Sequence, residues 1–494
     1  MRIAIIGGGM AGLACAYELE LARRAGVDAD YQLFEAGSRL GGVIASAVVD
    51  GTVIEQGPDS FLTEKPAGLE LVRELGLEAD LVGSNDAERK TFIVVRNKLV
   101  ALPDGLMFLI PTKLVATALT PLFSWPTKIR MGLELLHPPR PHTDDESVAA
   151  LVKRHFGQEA VNRLADPLLS GIYGGDAAQL SAQSVLPRLV QMETKYGSLT
   201  RGMLAGMRAR QEAEDAADEE PPPPPPLFTT LRLGLQQLVD AVVARLDRDR
   251  LHLGCPVNSV ERDKNGWVVR ASGPDQTRLD AFDVVVIATP AWAAGELLAD
   301  ADSELSGELS RIPYSSSITV NLVYDGSELD PLPEGFGFLV PAVEKRAMLA
   351  CTLLNRKFPG RTAPGKSVLR AFLGGARNAA LLKESDQVLS EIARRELFEI
   401  LQISAIPELV QIRRWPRAMA QYAVGHKERL ARIQARVSAL PGLRLAGNAY
   451  DGIGVSDCIR LGRSAAKSLL NAEVGAQTEQ GARLPIDSTA NPSR

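Results

Sequence analysis

The first twelve residues, MRIAIIGGGMAG, constrain the chain more than any other stretch. Arg2 to Ile6 is a short apolar run of the kind that forms a buried parallel strand, and it breaks directly into Gly7, Gly9 and Gly12 in a G-x-G-x-x-G spacing. From Met10 to Arg24 the apolar residues Leu13, Ala14, Tyr17 and Leu21 recur at helical intervals. Each glycine has a task in such a turn. Gly7 permits the tight bend, Gly9 lets a diphosphate approach the backbone, and Gly12 lets helix and strand pack closely. The segment from Gly7 through Gly8, Gly9, Met10 and Ala11 to Gly12 would then present unpaired N–H groups and a positive dipole end to an anion. A second strand, Tyr31 to Phe34, ends in Glu35, whose carboxylate can accept hydrogen bonds from ribose hydroxyls. In this order the elements predict a dinucleotide site.

Arg39-Leu40-Gly41-Gly42 follows Glu35, and Glu55-Gln56-Gly57-Pro58 comes soon after. Backbone approach at several further points suits the longer FAD better than NAD. Near the other end, Leu443 to Ile459 reads as a strand, a glycine-containing loop and a helix through about Leu470, with Ser456 or Asp457 as its expected cap. A helix N-terminus there suits the negative charge of a reduced flavin.

At 494 residues the chain exceeds one core, so two or three domains are expected. The net charge of −5, without a basic cluster interleaved with aromatics, argues against nucleic-acid binding. Four scattered cysteines and five histidines form no metal-ligand pattern and read as packed groups in a reducing compartment. Because the dinucleotide pattern begins at residue 2, no leader peptide is expected.

Along the chain, a helix is expected near Lys65 to Leu75 and an apolar run at Phe92 to Val95. Leu106 to Trp125 is the most apolar region, interrupted by Pro111, Lys113 and Pro121, and reads as broken helices that form either core or an interfacial surface. The acidic Asp144-Asp145-Glu146 suits the start of helices running to about residue 200. Within them, Ser170 to Asp176 reads as a turn. An acidic stretch and six prolines end at residue 226 as a solvated linker. Then come a helix at Leu235 to Leu246 and strands at Cys255 to Val260, Trp267 to Arg270 and Asp283 to Ala288, with Asn265-Gly266 as a hairpin turn. Alternating runs at Ile318 to Val323, Phe336 to Val340, Ala347 to Leu353 and Val368 to Leu373 suggest an antiparallel sheet, followed by a helix from about Asp386 to Leu401.

Further segments carry a family resemblance: Leu231 to Leu235, Gly335 to Pro341, Gln421-Tyr422-Ala423-Val424-Gly425-His426, and Leu445 to Asn448 continuing to Ser456-Asp457-Cys458-Ile459. With the glycine-rich start, the chain resembles the oxygen-dependent protoporphyrinogen and coproporphyrinogen oxidases, FAD flavoproteins of the amine-oxidase-like type. The resemblance implies six-electron oxidation of a porphyrinogen to a porphyrin in haem synthesis, with O2 as acceptor and H2O2 as product. It implies an α/β plus α+β fold: a Rossmann-like domain for FAD, a mixed-sheet substrate domain and an inserted helical, membrane-associated subdomain. On this scheme residues 1–60, 227–295 and 413–472 form the FAD domain, and 61–91 with 296–412 form the substrate domain. Residues 92–205 form the helical part, 206–226 the linker and 473–494 a disordered tail. A cytoplasmic protein, peripheral on the inner face of the cell membrane, is expected. A homodimer and a ferrochelatase-like downstream enzyme are its candidate partners.

Carried over by position, the cofactor contacts are Gly7, Gly8, Gly9, Met10, Ala11, Gly12, Glu35, Ala36, Arg39, Gly42, Val43, Gly57, Pro58, Asp59, Ser60, Val257, Trp415, Ala446, Gly447, Ile453, Gly454 and Val455. Phe336, Leu339 and Phe372 would pack on the tetrapyrrole, and the Gly171 carbonyl would face the reacting carbon. Two positions depart from the pattern. Thr91 precedes Phe92 where some members place a propionate-binding Arg, leaving Lys90 or Arg89 as substitutes, and Asp59 stands where relatives can carry Arg. A flavin amine oxidase acting on a small amine is the alternative, although Tyr450 lacks the aromatic partner such enzymes use. A flavin-binding scaffold using the proline run is a third.

Overall fold

The computed structural model describes residues 1–481 except 104, 108, 141–143, 216–223, 274–276 and 330–331. Its first sheet is parallel, in the order Leu251–His252, Asp30–Phe34, Arg2–Ile6, Val284–Ile287, Leu443–Leu445. Strand alternation sends Ile3 and Ile5 to one face, where they pack with Leu13 and Tyr17 of the Met10–Arg24 helix. Ala4 and Ile6 go to the other, under Trp267 and the Ala291–Leu297 helix. Three distant segments thus build one nucleotide-binding core. The last helix, Val455–Gly481, crosses the first so closely that a Cβ on Gly462 would lie 2.0 Å from Ala11 O.

The second sheet has seven strands, in the order Leu409–Ala420, Tyr314–Asp325, Lys366–Gly374, Met348–Leu353, Gly337–Leu339, Thr91–Val95, Lys98–Ala101. All neighbours are antiparallel except Gly337–Leu339 with Thr91–Val95. The sheet therefore runs beyond residue 91 at one joint and beyond 412 at the other, because register continues wherever a partner edge is available. Its outer face packs on the Asp386–Leu401 helix through Leu389, Ala393, Leu397 and Ile400, one stripe at helical spacing.

Helices between Leu114 and Asp215 form a third body around Leu151, Phe156, Leu164 and Leu199. Several sequence expectations change here. Leu106–Met107 and Ile110–Pro111 pair as a short hairpin instead of a helix, and Leu109, Ile110, Leu122 and Phe123 are core. Phe108 lies outside the described residues. Exposed apolar side chains here include Val115, Leu119, Trp125, Ile129, Leu133 and Leu136, of which Trp125, Ile129 and Leu133 repeat every fourth residue along the Trp125–Leu133 helix. No described helix is long and apolar enough to cross a membrane.

Ser170 to Tyr173 is the end of the Asp166–Tyr173 helix, and only Gly174, in the left-handed region, turns the chain. Helix also continues through Asp215, since the Ala, Met, Arg, Gln and Glu residues that dominate this stretch are good helix formers, so a linker from 206 is too long. Residues 216–223 lie outside the described set. The helix after Asp144-Asp145-Glu146 is capped instead by Ser147, whose hydroxyl accepts from Ala150 N. Lys264 and Asn265 are the hairpin-turn residues, with Gly266 already paired to Asp263. Residues 473–481, expected in a disordered tail, prolong the last helix; the rest of that tail lies outside the described residues.

Candidate flavin and substrate site

The glycine turn is built for a close visitor. Gly12 is obligatory, since a Cβ there would sit 1.9 Å from Gly7 O, whereas a Cβ on Gly9 would meet nothing within 4 Å. That open space beside Gly9 leaves room for a diphosphate to approach the backbone. Glu35 accepts from Gly8 N and Gly37 N, both at 2.7 Å, which orients its carboxylate while leaving lone pairs for ribose hydroxyls. Cys255 N bonds Glu35 O at 2.9 Å. This pairing places Val257 near Glu35 and Ala36. Gly41 N bonds Gly8 O at 2.8 Å, and Gly42 stands beside Gly9.

Arg39 braces the loop around the glycine pair. Its guanidinium donates to Leu40 O, Gly42 O and Ile44 O, so it stiffens the loop that carries Gly42 and Val43. Gly57 lies against Val43, where a Cβ would fall 1.7 Å from Val43 O.

Tertiary structure then brings the inner face of the large sheet onto this loop. Thr319 Oγ1 and Trp415 Nε1 each donate to Gln56 O at 2.7 Å, and Asn321 Nδ2 donates to Glu55 O at 3.0 Å. Arg370 donates to Gly57 O. Beneath Gly57-Pro58 the Asp59 carboxylate accepts from Lys357 Nζ at 3.1 Å and from Ser60 Oγ at 2.6 Å, with Arg370 Nη1 at 3.4 Å. Burial opposes the Asp59 charge, but Lys357 and Arg370 outweigh it and hold the carboxyl well below its usual range. Asp59 therefore anchors the loop through its side chain. Glu55 is similarly paired with Arg361 at 2.6 Å, although burial still pushes its carboxyl up. Lys357, Arg361 and Arg370 escaped sequence reasoning, since no local spacing links positions some 300 residues apart to this loop.

At the far end, Ala446 N bonds Ile287 O at 3.0 Å, and Gly447 adopts a left-handed φ of 135°. Ile453 and Gly454 lead into the helix starting at Val455. Neither Ser456 nor Asp457 is the cap residue. Asp457, inside the first turn, reaches back to accept from Gly454 N at 3.0 Å and pairs with Lys65 at 2.6 Å. The Gln421-Tyr422…His426 segment proves structural. Tyr422 Oη donates to Asn448 O and accepts from Gly452 N, both at 2.9 Å, while His426 stacks on the Tyr422 ring at 4.2 Å.

The expected substrate residues fall into two groups. Leu339, Ala350 and Phe372 stand opposite one another across three strands, on the inner face with Thr319 and Trp415. Gly171 lies in the last turn of its helix directly over Leu339, where a Cβ would come within 2.9 Å of Cδ2. Last-turn carbonyls lack intrahelical partners. The Tyr173 carbonyl is taken by Gln421 Nε2 at 2.7 Å, but among the described residues no group outside the helix donates to Gly171. Phe336, in contrast, is buried just before the Gly337–Leu339 strand, three positions from Leu339 and so out of phase with it. Thr91 pairs with Gly337, and Lys90 faces Glu334 at 3.6 Å on the surface.

Room for a diphosphate, an acid for a ribose and a helix N-terminus at the far end define a flavin-binding oxidoreductase site, and the residues present fit FAD. Residues 10–470 match the family described as flavin containing amine oxidoreductase, and the chain belongs to that family. It is 34% identical to coproporphyrinogen III oxidase of Bacillus subtilis (strain 168), covering 95% of this chain and 98% of that one. It is 32% identical to human protoporphyrinogen oxidase over the same shares. A crystal structure from Exiguobacterium sp. 255-15, named for protoporphyrinogen oxidase, superposes with a TM-score of 0.82 at 32% identity over 95% of this chain and 99% of that one. Cyclohexylamine oxidase from Brevibacterium oxydans IH-35A shares the fold, with a TM-score of 0.67 at 18% identity over 96% of this chain and 99% of that one.

Proposed function

We propose that this protein oxidises a porphyrinogen, protoporphyrinogen IX or coproporphyrinogen III, to the porphyrin in haem synthesis, with O2 as acceptor giving H2O2. The observation that carries the proposal is the exposed last turn at Gly171 set over the apolar Leu339–Phe372 face, an arrangement suited to a broad, flat, weakly polar ring. The two porphyrinogen oxidase relatives above are similar over nearly the whole chain, whereas the amine oxidase shares little beyond its fold. FAD, when bound, supplies the acceptor for hydride equivalents. The chain's own residues hold it: Glu35 and Val257 at the adenosine end, Gly9 and Gly42 at the diphosphate, Gly57 and Trp415 at the middle, Val455 at the end.

Leu339 and Phe372 orient the macrocycle, and the Gly171 carbonyl accepts from a polarised C–H or N–H at the reacting edge. Phe336 supports this wall from behind. No side chain acts as acid or base in this scheme, since Asp59 and Glu55 are already ion-paired and a pyrrole N–H provides the accompanying proton. The exposed Leu119–Leu136 ridge seats the helical body on the inner face of the cell membrane, and the porphyrin passes to a ferrochelatase-like metal-inserting enzyme. Purified holoenzyme given each porphyrinogen in turn should develop porphyrin fluorescence with one or both; failure with both, alongside turnover of small amines, would sink the proposal.

A further inference from the structure

Arg413 stands on the inner sheet face, opposite Thr319 in register and two residues from Trp415. Its guanidinium carbon lies 4.9 Å from the Trp415 ring centre, and among the described residues no carboxylate or carbonyl accepts from it. Trp415 is itself fixed by its bond to Gln56 O, so the cation resting on it is carried to the cofactor loop beside Gly57.

Arg39 donates to the carbonyls of Leu40, Gly42 and Ile44, which holds it to the Gly42 turn. Burial first, and then the charge of Arg413, hold Arg39 below its ordinary value, with only Glu35 acting the other way. Glu35 is oriented towards Gly8 and Gly37 and forms no ion pair with either arginine among the described residues. Arg413, through Trp415 and Gln56-Gly57, and Arg39, through Gly42, thus both border the cofactor loop, and neither forms an ion pair with a carboxylate among the described residues. Like charges so placed repel unless an anion joins them.

We propose that Arg413 anchors the FAD diphosphate from the substrate-domain strand. Arg39 shapes the Gly42 turn, while Arg413 brings a mobile, charge-assisted donor across to the phosphate oxygens. The cofactor is then clamped between the two sheets, and its retention depends on their staying together. This inference rests on FAD being the bound cofactor.

FAD release from the holoenzyme, followed by fluorescence of the freed cofactor in rising KCl, tests it. Arg413→Gln should weaken FAD retention about tenfold or more and flatten its salt dependence. Arg413→Lys should restore part of the loss, since it keeps the charge without the fork. ADP, which carries the adenosine and diphosphate without the flavin, should bind the FAD-depleted Gln variant more weakly than FAD-depleted wild type. Arg417→Gln, which alters a cation resting 3.7 Å from the Trp292 ring, serves as a control and should match wild type. Unchanged FAD release with a raised KM for porphyrinogen would overturn the proposal and hand Arg413 to a substrate carboxylate. Equal weakening in the Arg417 control, or an equally large drop in the melting temperature of the FAD-depleted protein, would also overturn it. Wild-type protein purified without FAD would instead defeat the flavin reading itself.

Discussion

His155 Nδ1 lies 2.9 Å from a carboxylate oxygen of Glu134, and both side chains are fully buried. The other ring nitrogen is 3.0 Å from Glu193, which Arg154 also holds together with Glu146. Glu134 further accepts from Ser198 Oγ, Leu199 N and Thr200 N at the start of the Leu199–Asp215 helix. One imidazole thereby ties three helices beneath the exposed apolar ridge, with the tilted His137 ring centred 4.9 Å from it.

Burial alone would lower the His155 pKa, yet the bonds and charges of Glu134 and Glu193 raise it above its usual value. The Glu134 carboxyl, opposed by burial, is drawn down to about 2 by His155, Thr200, Ser198 and Leu199. Stability from His155 is thus complete below the unfolded-state value and is lost as pH rises through the higher folded one. Stability from Glu134 is present above the unfolded carboxyl value and is lost as pH falls towards about 2. His155→Gln should cost about 3–5 kcal/mol, because it leaves the buried Glu134 carboxylate without its cation, while Glu193 keeps Arg154. Melting curves across neutral to alkaline pH should show the variant losing the wild type's decline on the alkaline side.

Gly9→Val should abolish FAD binding with little change in fold, since the protein itself leaves that Cβ free space. Gly12→Ala should lose both cofactor and fold, because its Cβ would strike Gly7 O. Flavin absorbance per protein and circular dichroism separate the two outcomes.

Tyr422→Phe removes the hydroxyl shared by Asn448 O and Gly452 N, and should cost about 1–3 kcal/mol while loosening flavin retention. His426, pushed down to about 4 by burial and by Arg429, is neutral at pH 7. His426→Ala should lower the melting temperature but keep turnover per bound flavin within severalfold. A thousandfold loss at full flavin occupancy would make it part of the chemistry.

The flavin should be non-covalent. Burial and then Asp457 push the Cys458 thiol up to about 12, so little nucleophilic thiolate exists at neutral pH. Acid precipitation should release the yellow colour into the supernatant, and Cys458→Ser should change nothing in that assay.

Membrane attachment through the ridge is tested by Leu119→Glu with Ile129→Glu, both exposed positions. Liposome flotation should fall while flavin content and melting temperature hold. Leu109→Glu, in the core, should instead unfold the helical body.

The strand–turn–helix start of the flavin fold was legible because its determinants are local. The Arg2–Ile6 strand, Gly7, Gly9, Gly12 and Glu35 fall within 35 residues, where steric rules and short-range periodicity act. The Asp386–Leu401 helix was legible at its ends for the same reason. Which side of the Leu106–Trp125 run faces solvent was decided by packing, since hydropathy does not distinguish a buried Leu109 from an exposed Leu119. The meeting of Thr319, Arg370 and Trp415 with Gln56-Gly57, the Lys357–Asp59 pair and the His155 cluster was also decided by tertiary structure. Such contacts depend on strand register and on how far each charge is removed from water, and both are set only when distant segments pack together.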